Sequence, residues 1–292
     1  MYLKKEVVKE YLAFAKVKYF GGTGEIFRSQ GPSWVVGKFL GPSNLALLSP
    51  VMTLMQMISS CAMTVILPLY PLVGKLSSGK KKADFSHWIP LFTKYLLLIE
   101  LVVATPLSLY SGEILQLWLG DDFVTVSFLF GVVAVVGSMI SLRWVYYFMA
   151  LGGAKITAIE MSTVTSAIIS LVGLAIGEGF LGWGLSESVF FFLGILLLQE
   201  VVYVPWAYRN VFKYSIVKLW WSSYLWPVGV AMLTILLGHE LREFFQPASW
   251  AFLLPLLFLQ AAIATGVFLL FCTTKAEREE VLKLVNSLKK KK

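Results

Sequence analysis

Residues 123–151 read FVTVSFLFGVVAVVGSMISLRWVYYFMAL, and this stretch decides the fold. A single charge, Arg143, interrupts it. A helix that crosses a bilayer needs about 20 mostly apolar residues. The run exceeds that length, and a soluble core has no place for so long a segment with only one charge. The pattern recurs at 45–73, 89–110, 156–181, 189–208, 219–237 and 248–272. The expected fold class is therefore all-α, a polytopic bundle of transmembrane helices.

Composition agrees. Of 292 residues, 58% are hydrophobic and 14% are charged, against roughly 25% charged in soluble domains. Mean hydropathy is +0.75. The net charge of +8 does not imply nucleic acid, because most of the charges lie between the apolar runs. Cys61 and Cys272 sit inside such runs and read as small buried hydrophobes, with no metal spacing or disulfide framework. The N-terminus is charged and lacks a signal-peptide pattern; it reads as a cytoplasmic start, or as a cut in a longer chain.

An eighth stretch, 11–39, is polar for a span. It holds Lys16, Lys18, Glu25 and Arg28, with glycines at 21, 22 and 24. Charge distribution favours counting it. With about eight spans, Lys4, Lys5, Lys9, Lys75, Lys80 to Lys82, Lys94, Lys155, Arg209, Lys213, Lys218 and the tail up to Lys292 share one side. Only Lys38 and Arg242 fall on the other. The positive-inside rule then places both termini in the cytoplasm. Residues 275–288 read as an amphipathic stretch on the membrane surface, and the Lys80–Lys82 run as an orienting cluster beside anionic headgroups. Trp88, Trp118, Trp183, Trp206, Trp220 and Trp221 fit an interfacial belt.

Ionisable groups at membrane depth cost several kcal/mol and need a partner or a hydrated path. Glu25 and Arg28 lie three apart and share a helix face. Ser29, Gln30 and Ser33 extend the polar surface, and Pro32 is expected to break the helix ladder. This face either lines a cavity or buries a structural ion pair. Gln56, with Ser59 and Ser60 one turn on, is a candidate for interhelical hydrogen bonding or for the cavity wall. Glu100 is isolated within apolar sequence. It is a candidate for proton relay or for pairing with a cation such as Arg28. Arg143, Glu160 and Glu200 fall at comparable depth and read as a buried or cavity-edge ion cluster.

Catalytic signatures are absent. His239-Glu240-Leu-Arg-Glu243 lacks the second histidine of a zinc site, and Asp121-Asp122 lacks further carboxylates. No Walker motif or nucleophile elbow occurs. Neither enzyme activity nor a cofactor is expected.

Ser33-Trp-Val-Val-Gly-Lys-Phe-Leu-Gly-Pro42 resembles the signature of Wzx-type flippases for polysaccharides and lipid-linked oligosaccharides. Three further features are similar and follow in the same order. They are Pro68-Leu-Tyr-Pro71, the segment from Glu113 through Trp118 and Gly120 to Phe123, and Gly152-Gly-Ala-Lys155 followed by the glycine-rich turn 179–184. The likeness spans roughly residues 10–275. It implies the multidrug/oligosaccharidyl-lipid/polysaccharide exporter superfamily, whose members have 12 to 14 helices in two lobes with alternating access. Residues 1–208 resemble the second lobe of six helices, 209–274 would be two additional C-terminal helices, and 275–292 a basic cytoplasmic tail. What the resemblance implies is export of a lipid-linked glycan across the cytoplasmic membrane, with a missing N-terminal lobe or second chain as partner. Arg28 would meet the anionic headgroup, and Glu100 or the Arg143–Glu200 set would couple to ions. A drug antiporter of the same superfamily and a non-transporting fragment are the alternatives.

Overall fold

The computed structural model describes residues 5–69, 85–152, 156–245 and 249–274, and every regular element among them is helical. Helix α1 covers Lys5–Phe39 and α2 covers Gly41–Ile66, closed by a 3-10 turn at Leu67–Leu69. Helix α3 covers Phe85–Leu109 and the short α4 covers Ser111–Leu119. After a 3-10 turn at Asp121–Val126 come α5, Ser127–Ser141, and α6, Arg143–Gly152. Helix α7 is Thr157–Phe180. Helices α8, Leu185–Leu197, and α9, Val204–Phe212, are joined through a π-helical turn at Leu198–Tyr203. The last three are α10, Ile216–Leu219, α11, Trp226–Phe245, and α12, Trp250–Phe271, with a second π-helical turn at Trp220–Leu225.

Seven helical segments are long and apolar enough to cross a membrane. They match the seven apolar runs of the sequence, so the chain is a multi-pass helical membrane protein. Large side chains such as Phe180, Phe252, Phe258 and Leu270 are exposed. On a soluble surface these would form an implausible apolar patch; here they face acyl chains.

Helix α1 is not among the seven, yet its packing sets its depth. Its most extensive neighbour is α7. A Cβ built on Gly21 would fall 1.8 Å from Glu160 Oε2, one on Gly24 2.9 Å from Val164 Cγ2, and one on Gly31 2.3 Å from Leu171 Cδ2. At the far end, the Phe39 ring covers Gly179. Contacts advance together along both helices, so α1 and α7 run parallel in constant register. The glycines allow the backbones to approach closely, as small residues do between helices in lipid. Residues 21–39 therefore share the depth of a spanning helix. With 35 residues α1 is about 52 Å long, well beyond the ~30 Å hydrocarbon layer, so its first turns extend past the bilayer.

Gly41, at φ +85°, makes the tight corner between α1 and α2, a conformation that costs a residue with a Cβ far more. Pro32 does not end α1: the helix is continuous across it. Helix α3 is the hub of the bundle. It packs on α5 on one side and on α11 and α12 on the other, and buries Leu97, Leu101 and Ala104 completely. Helix α12 is outermost, buried only along Leu253, Gln260, Ala264 and Phe268. Cys272 is buried, but Cys61 is exposed on α2 and is not a core residue. The Lys75–Lys82 loop, Lys155 and the tail 275–292 lie outside the described residues.

Candidate functional site

Two helix irregularities place polar side chains at the same level of the bundle. The first is the break at Leu142 between α5 and α6, with Ser141 and Arg143 on either side. The second is the π-helical turn, which carries Gln199 and Glu200. Such turns shift the side-chain register of a helix and are frequent at functional sites. The carbonyl of Val201 within this turn accepts the Trp220 indole N–H at 2.8 Å, so the C-terminal helices satisfy part of the distorted backbone.

Arg28 on α1, Arg143 on α6 and Glu200 meet Glu25 in a closed, alternating ring. Arg28 grips Glu25 side-on, Nη2 to Oε1 at 2.8 Å and Nε to Oε2 at 3.1 Å. Its Nη1 reaches Glu200 Oε1 at 3.1 Å. Arg143 Nη1 donates to Glu25 Oε2 at 2.8 Å, and its Nε lies 3.5 Å from Glu200 Oε1. Arg143 also donates to Thr163 Oγ1 at 3.1 Å. Two cations and two anions cancel, which is how four charges tolerate a site where an isolated one would be very costly. Burial is uneven: side-chain exposure is 0% for Glu200, 4% for Arg143 and 8% for Arg28, but 42% for Glu25. Glu25 is the outlet of the ring.

It opens on a cleft between α1, α2 and α8, lined by Glu25, Arg28, Ser29, Gln56 and Ser59 with Met52, Met55, Phe192 and Leu196. The cleft measures about 60 Å³, room for a few waters at roughly 10–15 Å³ each but not for a sugar headgroup. Ser59 Oγ accepts the Trp144 indole N–H at 2.9 Å.

The structure regroups the residues that the sequence singles out. Glu25 and Arg28 do pair, and they join Arg143 and Glu200 in one network instead of standing apart. Glu160 is not paired within that ring. Its carboxylate takes Lys18 Nζ at 2.7 Å, and the same ammonium contacts the Tyr147 hydroxyl. Glu100 does not reach Arg28; the Ser141 hydroxyl is bonded to Glu100 Oε2, and Oε1 has no hydrogen-bond partner among the described residues. Gln56 lies on the cleft wall, whereas Gln30 is not among the cleft residues and is exposed on α1. His239 Nδ1 lies 3.5 Å from Glu243 Oε1, and no cluster of metal-ligating side chains occurs among the described residues.

Sequence reasoning missed Lys18 as the partner of Glu160, and Thr163 and Gln199 as the hydroxyl and amide packed beside the ring. Gln199 Nε2 donates to Ser162 Oγ at 3.1 Å. Glycine spacing in α1 carried a signal for the close α7 contact, but nothing local links residues more than a hundred positions apart. No family model matches the chain, and no curated protein or solved structure matches it.

Proposed function

We propose that this chain is one lobe of a membrane transporter that moves a lipid-linked glycan, its phosphate-bearing head entering at the Glu25–Arg28 cleft. The single observation carrying this reading is the uneven burial of the ring. A purely structural ion network would be sealed; this one leaves one carboxylate half-exposed on a cleft whose mixed wall carries Ser29, Gln56 and Ser59 beside Met52, Met55, Phe192 and Leu196. The Arg28 fork already holds a bidentate carboxylate, and guanidinium binds phosphate oxygens with the same geometry. An entering phosphate would take the place of Glu25 on Arg28 and Arg143. Because the cleft alone is too small for a headgroup, the reading requires a facing wall from a second lobe or chain. Rocking of the two halves about this level would give alternating access.

The test is binding of a fluorescent lipid-linked diphosphate sugar to the chain in nanodiscs. Arg28→Gln should weaken it by about tenfold or more. Because that variant disturbs a buried pair, Gln56→Trp, which fills the cleft from its wall, serves as a second probe. Equal binding by wild type and both variants counts against the proposal.

A second reading is favoured by one specific fact: the ring member facing the cleft is an acid. It would suit a cationic substrate, as in a drug antiporter. Glu25→Gln separates the two. It should strengthen binding of the diphosphate lipid by removing its competitor, and abolish binding of a cationic dye.

A further inference from the structure

A groove on the lipid-facing side of the bundle lies between α7 and the span formed by α8 and its π-helical turn. At one end the two helices close on each other: a Cβ built on Gly173 would fall 2.3 Å from Phe191 Cζ. Further along, at the π-helical turn, a gap opens that measures about 330 Å³, within the range of about 300–1,000 Å³ common for small-molecule sites. Met161, Ile169 and Leu198 form its rim and are exposed. Its floor is polar. Ser162 and Ser166 are buried there, and Gln199 is only 5% exposed.

We propose that this groove holds a neutral lipid ending in a hydroxyl group, a lipid alcohol, with its tail along the apolar rim. The demand for a hydrogen-bond donor comes from Gln199. Ser162 and Thr163 each donate to the Ile159 carbonyl, at 2.8 and 2.9 Å. Their oxygens can therefore only accept from Gln199 Nε2, which stands 3.1 and 3.5 Å away. This fixes the orientation of the amide and leaves Oε1 with no hydrogen-bond partner among the described residues. An amide oxygen buried without a donor is destabilising. The other hydroxyls of the α7 wall cannot supply one. Ser166 donates to the Thr163 carbonyl at 3.1 Å and Thr165 to the Met161 carbonyl at 3.0 Å. Tyr203, the remaining hydroxyl, is exposed at the mouth rather than buried on the floor. The floor is thus rich in acceptors and has to be met by a donor. No lining side chain carries a charge. That selects a hydroxyl over an ammonium or a phosphate, because an ion here would lack a counter-charge in the wall. Depth selects a lipid over water. Ser162 and Ser166 lie roughly 8–14 Å along α7 from its start at Thr157, past the level at which a spanning helix enters hydrocarbon. The site requires nothing of the Glu25 cleft or of the transport reading.

The experiment uses the full chain in phosphatidylcholine nanodiscs and a photoactivatable diazirine derivative of dodecanol. Labelled peptides are mapped, and unlabelled dodecanol, dodecyl methyl ether and dodecylammonium are compared as competitors. Labelling should concentrate in residues 161–169 and 195–203. Dodecanol should compete about five-fold more strongly than the ether, which keeps the tail and the oxygen but lacks the donor. Gln199→Met should abolish that preference. Ile169→Trp, which fills the groove from its rim, should reduce labelling of both segments by about five-fold. Ile169 is exposed, so this second variant leaves the core intact. If Gln199→Met fails to fold, the ratio of alcohol to ether on the wild type, with Ile169→Trp, still decides. Equal competition by alcohol and ether on the wild type overturns the proposal, and the groove then holds only an acyl chain or water. A preference that survives in folded Gln199→Met overturns it as well, as does labelling spread evenly over the lipid-facing surface. Stronger competition by dodecylammonium than by dodecanol overturns the neutral ligand in favour of a cationic amphiphile.

Discussion

Arg28 and Glu200 sit 172 positions apart in the chain and meet at 3.1 Å inside the bundle. Arg143 closes on the same Glu200 oxygen at 3.5 Å. Three helices, α1, α6 and the α8–α9 span, are thus tied at one level by charges that none could carry alone. In lipid, where apolar contact gives no solvent-driven association between helices, such polar ties and close packing hold the bundle.

Removing one partner should therefore cost more than removing two. Arg143→Met leaves Glu200, which is fully buried, with less than its compensating charge, and should destabilise the protein by about 3–5 kcal/mol. Arg143→Met combined with Glu200→Leu removes a neutral pair and should cost less than the single change. Unfolding in mixed micelles by increasing the fraction of ionic detergent measures both. Equal or additive losses would mean that the two residues do not interact as the geometry shows.

The α1–α7 seam makes a paired prediction from neighbouring glycines. A Cβ on Gly24 would lie 2.9 Å from Val164 Cγ2 and 3.0 Å from Val164 Cα, a backbone atom that cannot swing away. Gly24→Ala should cost about 1–3 kcal/mol through overpacking. Two residues earlier, Gly22 meets nothing within 4 Å, so Gly22→Ala should be neutral or stabilise by up to about 1 kcal/mol through helix propensity. The same micellar unfolding assay reads the difference, and a common sign for both would refute parallel packing of α1 on α7.

How legible this was in the sequence depends on the range of the forces involved. The seven apolar spans follow from local composition, because each must match the bilayer by itself, and hydropathy found them all. Helix α1 escaped hydropathy because its polar face is compensated by α6, α7 and α8, which lie more than a hundred positions away. The Glu25–Arg28 pair was readable from its i, i+3 spacing. Its closure by Arg143 and Glu200 was not, since four acids and three cations of similar depth can be paired in many ways. The assignment of Glu160 to Lys18 is a result of where the glycines let α1 approach. The π-helical turn at Leu198–Tyr203 has no sequence signature, yet it carries Gln199 and Glu200.

Trp220 tests whether that turn is held from outside. Its indole N–H donates to the Val201 carbonyl at 2.8 Å. Trp220→Phe keeps the ring and removes the donor, leaving the carbonyl short of a partner in lipid. A loss of about 1–3 kcal/mol should follow, with faster amide exchange confined to residues 198–203. Unchanged exchange there would show that the turn is stable without the C-terminal helices.

The depth of α1 decides between a membrane path and a surface helix, and thiol labelling can read it directly. Ile26 is exposed on α1, two residues past Gly24, whose partner Val164 is inside the spanning segment Thr157–Phe180. If the helices share depth, Ile26 faces acyl chains. With Cys61 and Cys272 first replaced by alanine, Ile26→Cys should resist a membrane-impermeant maleimide from either side of intact vesicles. It should react only after detergent solubilisation. Lys38→Cys, near the end of the same helix and exposed, should react in intact vesicles from one side alone. Lys9→Cys, at the opposite end, should react only from the other side. Rapid modification of Ile26→Cys from the same side as Lys9→Cys would put α1 in water, and the ring, the cleft and the proposed route would then have no place in the bilayer.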